Sequence, residues 1–347
     1  MAIELSNLTF TEQDDIVPVV GVEEIVNTGI ANTLGGNDKI IGTAGTYSIH
    51  NSGTLNTSDG NDVIIGVSNS QEGNLLYGYG IFNYGKESTI NTGDGNYIII
   101  GICHGPNDFS IDGILKQGGT INTGDGDDKI TGTHMYSGIN NNAESTLDTG
   151  NGSDTITGTG GVFGIQNYFT FNTGDGNDKI TGTANIGFGI VNHGTMDTGA
   201  GNDTITGTNA NNWGIFSGSN STIDTGDGND VIIGMGTIGI HNNGLIKTGN
   251  GKDSIIAEGS FDGTGSVFLG NGQDYLKGFG SGNFNGENGQ DILELTSGSY
   301  TVGISGTAVN FTKGTSVMKT SDFEILIADR TIYNFASLTN GQTIFVA

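Results

Sequence analysis

A chain that repeats TGDGNDKITGT, as at residues 173–183, can fold in few ways. The phrase recurs with variations eleven times between residues 33 and 295. Its aspartate falls at Asp38, Asp62, Asp128, Asp154, Asp178, Asp203, Asp230, Asp253, Asp274 and Asp291, with Tyr97 in the third slot. Successive separations are 24, 35, 31, 26, 24, 25, 27, 23, 21 and 17 residues. A base period of about 24–25 lies in the range that marks stacked repeats. The long intervals predict loops inserted around residues 68–79 and 104–117, and the short ones predict narrower coils from about residue 268.

A second phrase, Gly-Ile-x-Asn, fills each period, as in Gly164-Ile165-Gln166-Asn167, Gly189-Ile190-Val191-Asn192 and Gly239-Ile240-His241-Asn242. Asn51, Asn83 and Asn141 share its column. One apolar residue then precedes each loop: Leu55, Ile90, Ile121, Leu147, Phe171, Met196, Ile223 and Ile246. Each period therefore offers about three short alternating strands and no helical segment. The expected fold is all-β, a right-handed parallel β-solenoid of about eleven coils with its loops along one edge. A single coil cannot bury its own isoleucines, so the stack is the cooperative unit and its ends need caps. Residues 1–31, with a strand-like pattern at Leu8, Phe10, Ile16, Val19 and Val20, form the expected N-terminal cap. Residues 32–295 hold the repeats, and 296–347 a C-terminal cap of strands. The asparagine column is expected to be a ladder of stacked amides.

Number the loop by nine positions, here Thr173 to Thr181. Position four is glycine in all eleven copies, position two is usually glycine, and position six is aspartate in ten. Paired glycines permit left-handed backbone angles and a turn that aims carbonyls inward. Strands stack at about 4.8 Å, so the position-six carboxylates form a row at that spacing. Two such charges repel by about 3.5 kcal/mol at an effective dielectric near 20. Lys129 and Lys179 are too few to neutralise the row and should point outward. Calcium fits, because it takes six to eight oxygens in irregular geometry, whereas magnesium demands a tight octahedron. No loop offers His or Cys to a transition metal. The expected ligands are the ten aspartates with carbonyls near Thr123, Gly124, Gly126, Thr149, Gly150, Gly152, Thr173, Gly174, Gly176, Thr198, Gly199, Gly201, Thr225, Gly226 and Gly228, several ions being held between coils.

Thr173-Gly-Asp-Gly-Asn-Asp-Lys-Ile-Thr181 and Gly286-Glu-Asn-Gly-Gln-Asp-Ile-Leu-Glu294 resemble the RTX, or haemolysin-type, calcium-binding nonapeptide, G-G-x-G-x-D-x-U-x. The resemblance covers about three quarters of the chain. It implies a calcium-stabilised β-roll or β-helix, export by type I secretion through an uncleaved C-terminal signal, and folding outside the cell. This chain departs in carrying Thr at position one in nine copies and one loop per coil.

The formal charge of −26, from 37 acidic and 11 basic residues, disfavours nucleic acid and anionic membranes as partners and favours cations. The longest apolar runs, such as residues 97–102, are far too short to span a bilayer. Cys103 is the only cysteine and reads as an incidental small residue. The polar N-terminus is no secretory signal, so the protein either stays in the cytoplasm or leaves by a route that does not read it.

Neither HExxH nor GxSxG occurs, and His50, His104, His134, His193 and His241 stand singly, with His193 and His241 near corresponding places in their coils. The expected role is non-enzymatic, an extracellular or cell-surface structural or adhesive protein. Its expected partners are calcium, cell-surface glycans or further copies of itself, and the type I secretion machinery, with no membrane insertion. The alternatives are a β-helix enzyme or binding module for polysaccharide, and ice or carbohydrate binding by the rows Thr131/Thr157/Thr181/Thr206 and Thr133/Thr159/Thr183/Thr208.

Overall fold

The computed structural model describes residues 2–18, 23–69, 78–104 and 111–347. Val19 and Val20, and much of both expected insertions, lie outside them. The fold is the expected right-handed parallel β-solenoid. Each full coil has three strands, as in Lys179–Ala184, Phe188–Asn192 and Thr195–Asp197. Each pairs in parallel with its counterparts in the neighbouring coils, building three long sheets of 14, 11 and 15 strands. Sheet 1 follows the loops, sheet 2 carries Gly-Ile-x-Asn, and sheet 3 holds the three-residue strands. Register is fixed column by column: Ile156 faces Ile180, Ile165 faces Ile190, and Phe171 faces Met196.

The interior is three apolar columns, one per sheet, and nearly every member is fully buried. Removing each such side chain from water contributes about 1.5–3 kcal/mol. The glycines opposite one another in sheets 1 and 2 hold the section narrow. A Cβ on Gly182 would collide with the Gly189 carbonyl. Inside sheet 2 the asparagines form the expected ladder. Asn141 Nδ2 donates to Asn167 Oδ1 and Asn167 Nδ2 to Asn192 Oδ1, both at 2.8 Å. Each amide also donates to a carbonyl, Asn141 to Thr170 and Asn167 to Thr195.

The second insertion is shorter than the spacing predicts. Asp112–Gln117 is a regular strand of sheet 2, in register with both neighbours. Lys116 stands there in the asparagine column, between Asn83 and Asn141, and so disguises the motif.

The narrowing near residue 268 has a simple cause. Sheet 2 ends at Phe261–Asp262, and later coils pass directly from sheet 1 to sheet 3. The C-terminal residues add strands Ser316–Ser321 and Ile325–Ala328 in parallel to the last coil, then turn antiparallel. At the other end, Glu24–Asn27 already pairs with Tyr47–Asn51, and Leu5 of a short 3-10 turn seals the core.

Candidate metal column along the loop edge

The loops bend as the glycines require. Position two has φ near 75° at Gly150, Gly174 and Gly199, and position four has φ near 150°. Leu34, Ser58 and Glu287 take the same left-handed conformation at position two, a strained choice for a side chain. Adjacent loops also pair through their backbones. Gly152 N donates to the Asp175 carbonyl at 2.8 Å and Gly176 N to the Ala200 carbonyl at 2.7 Å. The position-three carbonyls are thereby occupied. In the loops from residue 123 to 230 the position-four glycine carbonyls take no part in these backbone bonds, whereas the parallel bridges Ala200–Asp227 and Asp227–Asn250 engage the position-two carbonyls of Gly199 and Gly226.

All ten position-six aspartates point inward and are buried. Their arrangement corrects the expectation that only a cation could hold the row together. Each Oδ1 accepts a backbone N–H from the preceding coil: Asp128 N donates to Asp154, Asp154 N to Asp178 and Asp178 N to Asp203, all at 2.8 Å. Half of every carboxylate is therefore satisfied by the protein. The row extends further than its motif, because Asp15 N donates to Asp38 at one end and Asp291 N to Glu324 Oε2 at the other. Neither extension has a repeat signature that sequence reasoning could have used. Tyr97 keeps the backbone half by donating its N–H to Asp128 Oδ1, and turns its buried hydroxyl to the Ser58 carbonyl.

The other half is orphaned. Oδ2 of Asp38, Asp62, Asp128, Asp154, Asp178, Asp203, Asp230, Asp253, Asp274 and Asp291 is buried without a hydrogen-bond partner. Burial pushes the carboxyls of Asp128, Asp154, Asp178, Asp253 and Asp291 up to about 7, and those of Asp62, Asp230 and Asp274 up to about 6. Asp38 and Asp203 are raised by the same cause. The position-one threonine of the same loop lies close enough to oppose the shift. It does not complete Oδ2, however. The hydroxyls of Thr123, Thr149 and Thr198 donate at 3.4 Å to the carbonyls of Thr149, Thr173 and Thr225 in the next coil. Thr at position one is thus a buried hydroxyl column beside the carboxylates.

Oδ2, threonine hydroxyls and glycine carbonyls make an all-oxygen donor set, suited to a hard cation. No group of three or more His, Cys, Asp or Glu side chains converges among the described residues. A cation here would be held by one carboxylate per coil, completed by neutral oxygens. Lys129 and Lys179 are exposed, as expected.

The remaining candidates lie elsewhere. Both threonine rows run along the outer face of sheet 1, in register. His193 and His241 do not occupy equivalent slots, since His193 follows its ladder residue and His241 precedes Asn242. Both nevertheless contact the Phe216 ring on the outer face of sheet 2. His241 stacks on Trp213 at 4.4 Å and meets Asp262 at 3.0 Å. Cys103 is buried.

No family model matches the chain, and no curated relative does. Among solved structures it is similar to a hyperactive, Ca2+-dependent, beta-helical antifreeze protein from an Antarctic bacterium, with 17% identity over 85% of this chain and 83% of that one, at a TM-score of 0.41. At that similarity nothing about ligand or role passes from one protein to the other.

Proposed function

We propose that the chain is a calcium-binding structural and adhesive repeat protein of the extracellular space or a cell surface, folded by calcium held between its stacked loops. One observation carries this reading: a column of ten buried carboxylate oxygens lacking partners, interrupted once at Tyr97, beside the position-one threonine hydroxyls. An unsatisfied buried polar group costs about 1–3 kcal/mol, more when charged, and the column repeats that penalty ten times. Calcium would neutralise the row and coordinate Oδ2 together, and resemblance to the RTX nonapeptide supports that choice of ion. Export by a type I route belongs to the same proposal, as does the absence of catalysis. The histidines support the latter, since His50, His193 and His241 stack on rings and His134 Nδ1 accepts the Tyr136 N–H.

Calcium titration into chelated protein, followed by calorimetry and circular dichroism, tests the central claim. The expected result is uptake of several ions per chain together with β-structure, with magnesium a poor substitute. An unchanged spectrum and melting curve on adding calcium would refute it. Fusing residues 296–347 to a reporter tests the export route separately.

A further inference from the structure

Where the coils become two-sided and the C-terminal strands turn antiparallel, sheet 3 carries a cavity of about 400 Å³ on its outer face. Its floor consists of two rows crossing the strands. Ser266, Asn283, Lys319 and Asn310 are in register in one, and Phe268, Asn285 and Ser321 in the other. A neighbouring cavity of about 390 Å³, between this sheet and the loops, shares Phe268 as a wall.

The lining of the first cavity differs sharply from the rest of the surface. The chain has 37 acidic residues, yet none lines this cavity. Lys319 is its only charged group and forms no ion pair among the described residues. Asn310 likewise has no side-chain hydrogen bond among them. Phe268 stands in a column otherwise held by Asn172, Asp197, Asp224, Lys247 and Asn285. Its ring stacks on no other ring among the described residues, whereas in sheet 2 the rings of Trp213, Phe216 and His241 stack face to face on one another.

From these features we infer that the groove is a binding site for a neutral oligosaccharide. Amide side chains both donate and accept, as sugar hydroxyls do, and an aromatic ring packs the apolar face of a pyranose. Strands at about 4.8 Å spacing give the rows from Ser266 to Asn310 a reach of about 14 Å, long enough for more than one ring. A polyanion is the weaker candidate, because the surrounding charge of −26 opposes it and a single lysine answers it. The inference rests on the adhesive half of the proposed function, but on residues separate from the aspartate column.

The test is titration of the calcium-loaded full chain with cellohexaose, laminarihexaose, maltohexaose and chitohexaose, followed by calorimetry and by amide chemical shifts. At least one should bind, with shifts concentrated at residues 264–268, 283–285 and 308–321. Phe268→Ala should weaken binding about tenfold, equivalent to about 1.4 kcal/mol. Lys319→Ala, at an exposed position, should weaken it less while leaving calcium-dependent folding intact. Binding by none of the four, equal binding by Phe268→Ala, or preference for an oligouronate would overturn the inference. Calcium response in the same samples reports separately on the proposed function.

Discussion

Two polar ladders run through this solenoid, and they differ in one respect. In the asparagine ladder, every amide has a donor and an acceptor, so rungs such as Asn141 and Asn167 satisfy the next asparagine and a carbonyl as well. In the aspartate ladder, each side chain has acceptors only. One oxygen takes a backbone N–H, and the other has no hydrogen-bond partner among the described residues, with only the position-one threonine hydroxyl nearby. A buried amide column closes on itself, whereas a buried carboxylate column needs a proton or a metal ion from outside. The first is a structural spine at any pH, and the second makes folding conditional.

Chelation should break the comparison most forcefully. At pH 8 without calcium, ten orphaned carboxylates exceed a stability margin of about 5–15 kcal/mol, and the solenoid should unfold. Acid should restore it. The aspartate pKa values are raised from 3.8 to about 6 or 7, so the folded state holds extra protons across that window. The resulting stability is fully present below pH 3.8 and is lost as pH rises through 6 to 7, by up to about 1.4 kcal/mol per unit for each group. Urea melts in chelator at pH 5 and 8 should therefore differ strongly, and melts in calcium far less. Equal melts in chelator would remove the distinction between the ladders.

Turning one spine rung into its counterpart comes next. Asn167→Asp deletes the donor to Asn192 Oδ1 and Thr195 O, and sets a carboxylate against an acceptor. A loss of about 3–5 kcal/mol is expected, measured by denaturation in calcium. The reverse exchange, Asp178→Asn, should change sign with conditions. It keeps the Oδ1 acceptor for Asp154 N–H and removes the orphaned charge, so in chelator it should stabilise by about 1–2 kcal/mol. In calcium it should destabilise and reduce the number of ions bound. A single sign in both conditions would rule out calcium at that rung.

Lys116→Asn should have the smallest effect. Lys116 interrupts the amide spine, its Nζ donating to the Gly119 carbonyl at 2.9 Å and to the Thr146 carbonyl. Burial pushes it down to about 6. The folded state therefore holds fewer protons than the unfolded one, and the lysine protein gains stability as pH rises from about 6 toward 10.5. Asparagine should add about 1–2 kcal/mol at pH 7, and because the lysine protein gains up to about 1.4 kcal/mol per pH unit, that advantage should reverse by pH 9.5. Denaturation at pH 7 and 9.5 checks both parts.

Much of this was legible because a solenoid turns periodicity into geometry. Ile156, Ile180 and Ile205 sit at one repeat offset, so stacking alone puts them in one column. The asparagine rungs follow for the same reason, and so does the inward row of aspartates. The strand at Asp112–Gln117 was hidden because lysine replaced the diagnostic asparagine. Glu324 was invisible because it closes the aspartate row from a segment outside the repeat. Position-one threonine read as a departure from the nonapeptide, yet it forms a buried column of its own.

The sequence by itself determined the period, the three-strand coil, the columns and the sign of the charge. These depend on residues within one repeat, copied at a fixed offset. Only the tertiary structure decided which carboxylate oxygen has a donor, where each row ends, and where a groove opens beside the antiparallel C-terminal strands. Those features depend on hydrogen-bond directions between residues 17 to 35 positions apart and on strands that do not repeat. A repeat fixes what stacks on what, but the orientation of each polar atom follows from the neighbours it meets in space.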